Sequence, residues 1–499
     1  MEKELQKLKN MIAEIADLNG ANAILSWDQQ TYMPPGAAEI RGQQLGTLGR
    51  LAHEKGTSKE MGELLKRLGK HVSSLDPDSD DARMVKMATR DYDRATRVPP
   101  EYVVEQAEVT AVANQAWTEA RSKSDFSIFR PHLEKVVDLV HRYIGYFPPA
   151  DHPYDVLLDQ FEPEMKTADV QTFFNDVRPQ QVELIKAISA KTQVDDSFLH
   201  QAFDEQKQWD FGVEVITKFG YDWQRGRQDK SAHPFTGGPG IYDVRITTRI
   251  APDFLNSMLF GTMHEAGHAM YEQGIGTNLA RTNLAIGTSL GVHESQSRMW
   301  ENLVGRSLPF WQYFYSRLQA TFPQLKNVSL DAFYKGINKV HPSLIRVEAD
   351  EATYNLHIML RMEMEIGIVE GKMAVKDLPE IWNSKMKEYL GVVPANDAAG
   401  VLQDIHWSWG LMGYFSTYAL GNLVSVQLWE KINQDIPDLA NQISSGKFEA
   451  LLGWLREKIH IHGRKFLPQE LIQKVTGSKI DSAPYIRYLR TKFSKIYNL

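Results

Sequence analysis

Apolar residues recur at steps of three and four along most of this 499-residue chain, and that period constrains the fold more than any other feature. Leu5, Leu8, Ile12, Ile15 and Leu18 follow it, as do Leu133, Val136, Val137, Val140 and Ile144. Such spacing lines one helix face with side chains that need burial, so the expected fold is mainly α. The helices should break at Met33-Pro34-Pro35-Gly36, at the acidic residues 76 to 81, at Val98-Pro99-Pro100 and at Phe147-Pro148-Pro149. Proline lacks an N–H and fixes φ, which stops or starts a helix. With no internal repeat or low-complexity tract, residues 1 to 499 read as a single helical domain.

One stretch departs from this texture. Residues 241 to 250, IYDVRITTRI, alternate strictly and follow the turn-rich Gly237-Gly238-Pro239-Gly240. A strand there would carry Tyr242, Val244, Ile246, Thr248 and Ile250 on one face, and Asp243, Arg245, Thr247 and Arg249 on the other.

The next segment carries the chemistry. Pro252 and Asp253 can start a helix, Leu255, Leu259, Met263, Ala266 and Met270 give it an apolar stripe, and Gly274 can end it. Within it lies His264-Glu265-Ala266-Gly267-His268, an H-E-x-x-H pattern. The two imidazoles sit one turn apart on one face, close enough to share a zinc ion, while Glu265 can act as base towards a water there. The chain has no cysteine, so any metal must be held by nitrogen and oxygen. A bare pattern of this kind also arises by chance, and the decisive feature is a third ligand. Glu294 lies 294 − 268 = 26 positions beyond His268, in a helical segment that begins after Gly291. A His, His, Glu set is a standard catalytic zinc shell. His293 and Glu301 are the rivals for that place, and Glu294 is preferred.

With a net charge of −7 and no basic stripe, the chain gives no reason to expect nucleic acid as a partner. No apolar run reaches the roughly 18 residues that a membrane helix needs. The start of the chain lacks the features of a signal peptide, so the expected location is cytoplasmic.

Besides HExxH, five separated motifs stand in order between residues 233 and 407. These are His233-Pro234-Phe235, Asp243-x-Arg245-x-Thr247, His293-Glu294-Ser295-Gln296, Ile345-Arg346-Val347-Glu348-Ala349-Asp350, and the run from Gly400 to Trp407 that holds Gln403, Asp404 and His406. In these the chain closely resembles the carboxypeptidase Taq family of zinc metallocarboxypeptidases. The resemblance implies a large, helical, saddle-like subunit with a deep central groove and catalytic motifs within 233 to 418. It implies a homodimer that takes peptides with a free C-terminus and removes single residues with broad specificity. It also implies one Zn2+ per subunit, with Co2+ as a substitute, and Glu294 as the third ligand.

Zinc-activated water would then attack the scissile carbonyl, with Glu265 as general base and later general acid. A free C-terminal carboxylate suits an arginine fork, for which Arg346 is the first candidate and Arg245 the second. The blander reading makes each a structural ion pair, with Asp350 and Asp243 respectively. Trp407, Leu411, Tyr414 and Tyr418 would share a helix face, an arrangement more often core than site. By resemblance to other helical HExxH peptidases, Tyr418 and Tyr414 would steady the oxyanion or the substrate carboxylate. His406 and His233 are candidate donors to substrate, with Gln403 and Asp404 orienting the region around them. The strand at 241 to 250 could pair with an extended peptide. Two other functions compete: an oligopeptidase or dipeptidyl carboxypeptidase with the same zinc chemistry, and a noncatalytic helical binding protein. Retention of Glu265 argues against the last, because a structural metal site needs no base.

Overall fold

The three- and four-residue period becomes helix almost throughout the computed structural model, which describes residues 1 to 499. The first helix, Glu2–Thr31, buries Leu5, Leu8 and Ile12. The helix Phe126–Gly145 buries Leu133, Val136 and Val140. Each proposed break separates two α-helices: Asp80 and Asp81 open the helix Asp80–Arg97, and Pro100 occupies the first turn of Pro100–Lys123, where its missing N–H leaves no bond unmade. No helix is long and apolar enough to cross a membrane.

The chain folds as two compact units, each assembled from three separated segments. The first comprises Met1–Thr96, Asp195–Ile337 and Leu428–Lys479; the second comprises Arg97–Val194, Asn338–Gln427 and Ile480–Leu499.

The first unit holds a small three-stranded sheet of order β1-β3-β2: β1 is Gln228–Lys230, β2 is Thr236–Gly240 and β3 is Asp243–Thr248. β1 runs parallel to β3 and β2 antiparallel to it, with an irregularity between Gly237 and Gly240. β3 is the strand anticipated from alternation, shorter at both ends. Val244, Ile246 and Thr248 are buried as one face, but Thr247 on the other face is buried too and receives the backbone N–H of Phe235 at 2.9 Å. Tyr242 lies outside the strand and is exposed.

Next comes the HExxH helix, Leu255–Gly274. It starts two residues after Asp253, because Phe254 is extended (φ −149°, ψ 109°); the Pro252 carbonyl accepts from the backbone N–H of Phe203. Leu255, Leu259, Met263, Ala266 and Met270 are all buried, and each leucine or methionine so buried contributes roughly 1.5–3 kcal/mol. Thr262 on this helix bonds Thr248 of β3, hydroxyl to hydroxyl, at 2.9 Å. The helix Leu290–Arg298 is capped by Ser289 Oγ, which accepts from the backbone N–H of Val292. It starts just before Gly291 and widens into a π-helix over Met299–Gly305.

Candidate functional site

Gly267 lets these two helices approach. A β-carbon there would lie 2.6 Å from Ser297 Cα and 2.8 Å from the Gln296 carbonyl oxygen, contacts no other residue type could make unchanged. The approach brings Glu294 to the histidines: its Oε2 lies 3.7 Å from His264 Nε2 and 3.4 Å from His268 Nε2. Two ligands bonded to one zinc at about 2.0–2.1 Å with tetrahedral angles stand about 3.3 Å apart, so the three donors fit one ion.

Each donor is aimed by a second contact. His264 Nδ1 meets Glu301 Oε2 at 2.9 Å, and His268 Nδ1 meets His293 Nδ1 at 2.6 Å. The Nε2 atom of each ring is thus the one turned towards Glu294. Arg298 Nε donates to Glu294 Oε1 at 2.7 Å, leaving Oε2 on the histidine side. Arg298 also donates to Glu301 at 3.1 Å. The two rivals for third ligand, His293 and Glu301, therefore lie behind the histidines and hold their far nitrogens.

Charge follows from burial and these neighbours. Burial alone would raise Glu294, but Arg298 and both histidines hold it well below the usual carboxylate range. Burial, reinforced by the adjacent His293 and His264, pushes His268 down to about 3 and keeps it neutral, the ligating form. For His264 burial is outweighed by Glu294 and Glu301, which hold it above its ordinary value.

Glu265 lies among these groups yet bonds none of the three donors. Its Oε2 accepts from Thr236 Oγ1 of β2 at 2.7 Å. Burial lifts its carboxyl above the usual range, against the opposing pull of His264 and Thr236. A basic, anchored carboxylate beside a metal donor set can take and return a proton. Thr236 escaped the sequence reading, although it directly follows the His233-Pro234-Phe235 motif.

Arg245 forms a bidentate pair with Asp243, at 2.8 and 2.6 Å, and lies over the Trp27 ring. His233 is exposed, and its carbonyl accepts from Ser231 Oγ.

The second unit gathers another cluster. Arg346 is 6% exposed. Its Nε and Nη2 donate to Asp404 Oδ1 at 2.9 and 2.8 Å, and Nη1 donates to the Tyr354 hydroxyl at 3.0 Å. Its partner is thus Asp404 and not Asp350, which accepts from the backbone N–H groups of His341, Ala352 and Thr353. Arg361, fully buried, donates to Asp404 Oδ2 at 2.6 Å and to Gln403 Oε1 at 2.8 Å. Gln403 Oε1 also accepts the Arg346 backbone N–H at 2.8 Å. Arg361 was not anticipated; the available signal was an arginine midway along Tyr354–Val369, a helix buried nearly all round.

The Tyr418 ring lies 5.0 Å from the Arg346 guanidinium, and its hydroxyl lies 3.3 Å from His406 Nε2. The Tyr414 ring is 5.2 Å from that of His406. Burial, with help from Arg346 and Arg361, pushes His406 down to about 4 against the pull of Asp404. The expected helix face from Trp407 to Tyr418 does not exist. Residues His406–Trp409 form a short 3-10 turn, Gly410 and Gly413 take left-handed φ values of +71° and +95°, and the next helix begins at Ser416. Trp407 instead donates to Glu365 at 2.7 Å.

Comparison with known proteins is consistent across the whole chain. The family model described as carboxypeptidase Taq (M32) metallopeptidase matches residues 7–493. Thermostable carboxypeptidase 1 of Thermus thermophilus is 40% identical, over 99% of this chain and 99% of that protein. Carboxypeptidase 1 of Bacillus subtilis is 39% identical, over 98% of each. The crystal structure of an M32 carboxypeptidase from Deinococcus radiodurans matches with a TM-score of 0.97 at 41% identity, covering 100% of both chains.

Proposed function

Since the chain belongs to the carboxypeptidase Taq (M32) metallopeptidase family and is a metallocarboxypeptidase acting on peptides, we propose that its metal is zinc, held by His264, His268 and Glu294. The observation that carries this reading is the convergence of two Nε2 atoms and one carboxylate oxygen, with both Nδ1 atoms already engaged. Zinc supplies Lewis acidity there, polarising the scissile carbonyl and lowering the pKa of a water from 15.7 towards about 7.

Glu265 takes the proton of the attacking water and returns it to the leaving amine. Its support is a carboxyl raised by burial and fixed by Thr236. Arg346 receives the free C-terminal carboxylate. Three of its five N–H donors are spent on Asp404 and Tyr354, which leaves two. The charge balance agrees, because Arg346 and Arg361 share the single carboxylate of Asp404. Tyr418, backed by His406, is a donor to the oxyanion or the carboxylate, with Tyr414 beside it. Gln403 and Asp404 hold Arg346 in place. Arg245 and His233 are secondary contacts to peptide. By family resemblance, the products are single residues of many kinds. Co2+ as a working substitute, a homodimer and a cytoplasmic location rest on family resemblance and composition alone.

The test is mass spectrometry of a mixed peptide digest, with enzyme as purified, after chelation, and after zinc is restored. Ladders losing one C-terminal residue at a time should stop with chelator and resume with zinc. Cleavage that survives chelation, or release of dipeptides, would overturn the reading.

A further inference from the structure

We infer that Glu272 and His293 form a two-residue relay that fixes the tautomer and orientation of His268, making both of them positioning residues for the metal. The inference rests on His268 being a ligand, and adds what aims it. His268 Nδ1 lies 2.6 Å from His293 Nδ1, and His293 Nε2 lies 2.7 Å from Glu272 Oε1. The proton assignments along this chain follow from one another. A metal ion on His268 Nε2 requires the ring proton on Nδ1, so that N–H donates to His293. His293 must then be unprotonated at Nδ1 and carry its hydrogen on Nε2, where Glu272 accepts it. Each acceptor selects the tautomer of the ring before it.

The His293 ring is confined sideways as well. Tyr271 packs at 5.0 Å between ring centroids, and a β-carbon on Gly287 would stand 2.7 Å from His293 Cδ2. Sequence geometry explains how two elements build the relay. His264, His268 and Glu272 follow at steps of four on one helix, and so share a face. The adjacent residues His293 and Glu294 divide the work: one stands behind His268 and the other in front. The two histidine ligands therefore differ. His264 meets the carboxylate of Glu301 directly, whereas His268 reaches its carboxylate through a second imidazole.

The experiment uses the full-length zinc enzyme and the variants H293A, E272A, E272Q, E272A/H293A and H268A. Zinc dissociation constants come from competition with a chelator of known affinity, and ligand geometry from the visible absorption of cobalt-loaded protein. H293A should weaken zinc binding by about 10-fold to 100-fold, and E272A in the same direction by less. The double variant should bind no worse than H293A, because both act through one contact. E272Q, whose Oε1 still accepts from His293, should hold zinc within a few-fold of the unmutated enzyme. The cobalt spectrum should change in H293A and E272A, a response that loss of general stability would not give. Should H293A fail to fold, E272A against E272Q decides alone. Unmutated affinity and spectrum in both H293A and E272A, or additive losses in the double variant, overturn the relay. Full zinc affinity in H268A would instead overturn the ligand assignment beneath it.

Discussion

At the scale of single residues, the spacing of His264, His268 and Glu294 announced a shared ion, and the three side chains do converge. What spacing could not reveal is which nitrogen of each ring faces Glu294. His293 and Glu301 were legible only as competitors for ligation, because sequence shows that a side chain is near a helix face and not which side of an imidazole it meets. The same blindness applied to Arg346, whose partner is 58 residues away at Asp404. Two predictions belong here. The variant E265Q should retain its zinc and lose roughly 10²-fold to 10⁴-fold in kcat, the range for a positioned acid-base group. Metal analysis beside steady-state kinetics checks it, and near-normal turnover in zinc-loaded protein would remove Glu265 from the reaction. For R346A, loss of a charged fork worth about 1.5–3 kcal/mol should lower kcat/KM on a free-acid peptide by about 10-fold to 100-fold. The same peptide with an amidated C-terminus should be far less affected; equal losses on both would mark Arg346 as purely structural.

At the scale of elements, long periodic helices and β3 were readable, while β1 and β2 were not. β1 has three residues, and β2 is Thr236-Gly237-Gly238-Pro239-Gly240, a composition that signals a turn and becomes strand only because β3 offers an edge. The misplaced helix face at Trp407 to Tyr418 has the opposite cause, since Gly410 and Gly413 adopt backbone conformations that a periodicity count ignores. The most consequential element contact is the crossing at Gly267. Its replacement by alanine should force the HExxH helix away from Ser297, costing about 1–3 kcal/mol as overpacking does. The same displacement draws Glu294 from the histidines. Denaturant unfolding and zinc titration of G267A should therefore both deteriorate. A variant as stable and as tightly metallated as the unmutated protein would show that this crossing does not set the site.

At the scale of the whole molecule, each compact unit draws on three stretches of chain, which no local pattern could disclose. The helical period reads as a single helical domain; it records burial and not the partner that provides it. Glu365 exposes how distant segments are tied within the second unit. It is fully buried and accepts from the Tyr154 hydroxyl at 2.6 Å, Trp407 Nε1 at 2.7 Å and the Gly413 backbone N–H at 2.9 Å. Burial pushes its carboxyl up to about 7, although all three of those hydrogen bonds pull the other way. A folded pKa above the ordinary value of 4.5 means that the native state holds a proton which the unfolded chain has released. The resulting stabilisation is complete below about pH 4.5, fades as pH rises to about 7, and is absent above it. The total is about 3 kcal/mol, from roughly 2.5 pKa units at 1.36 kcal/mol each. Glutamine cannot ionise, so E365Q should lack this slope, although its amide NH2 meets the N–H of either Trp407 or Gly413 and lowers stability by an amount that does not vary with pH. Chemical unfolding of both proteins from pH 5 to pH 8, with chelator present to hold metal constant, isolates the difference. The unmutated protein should lose stability relative to E365Q by a few kcal/mol across that interval, most of it before pH 7. A difference that stays flat, or that moves in favour of the unmutated protein as pH rises, would mean that Glu365 is ionised throughout and that its three donors outweigh its burial.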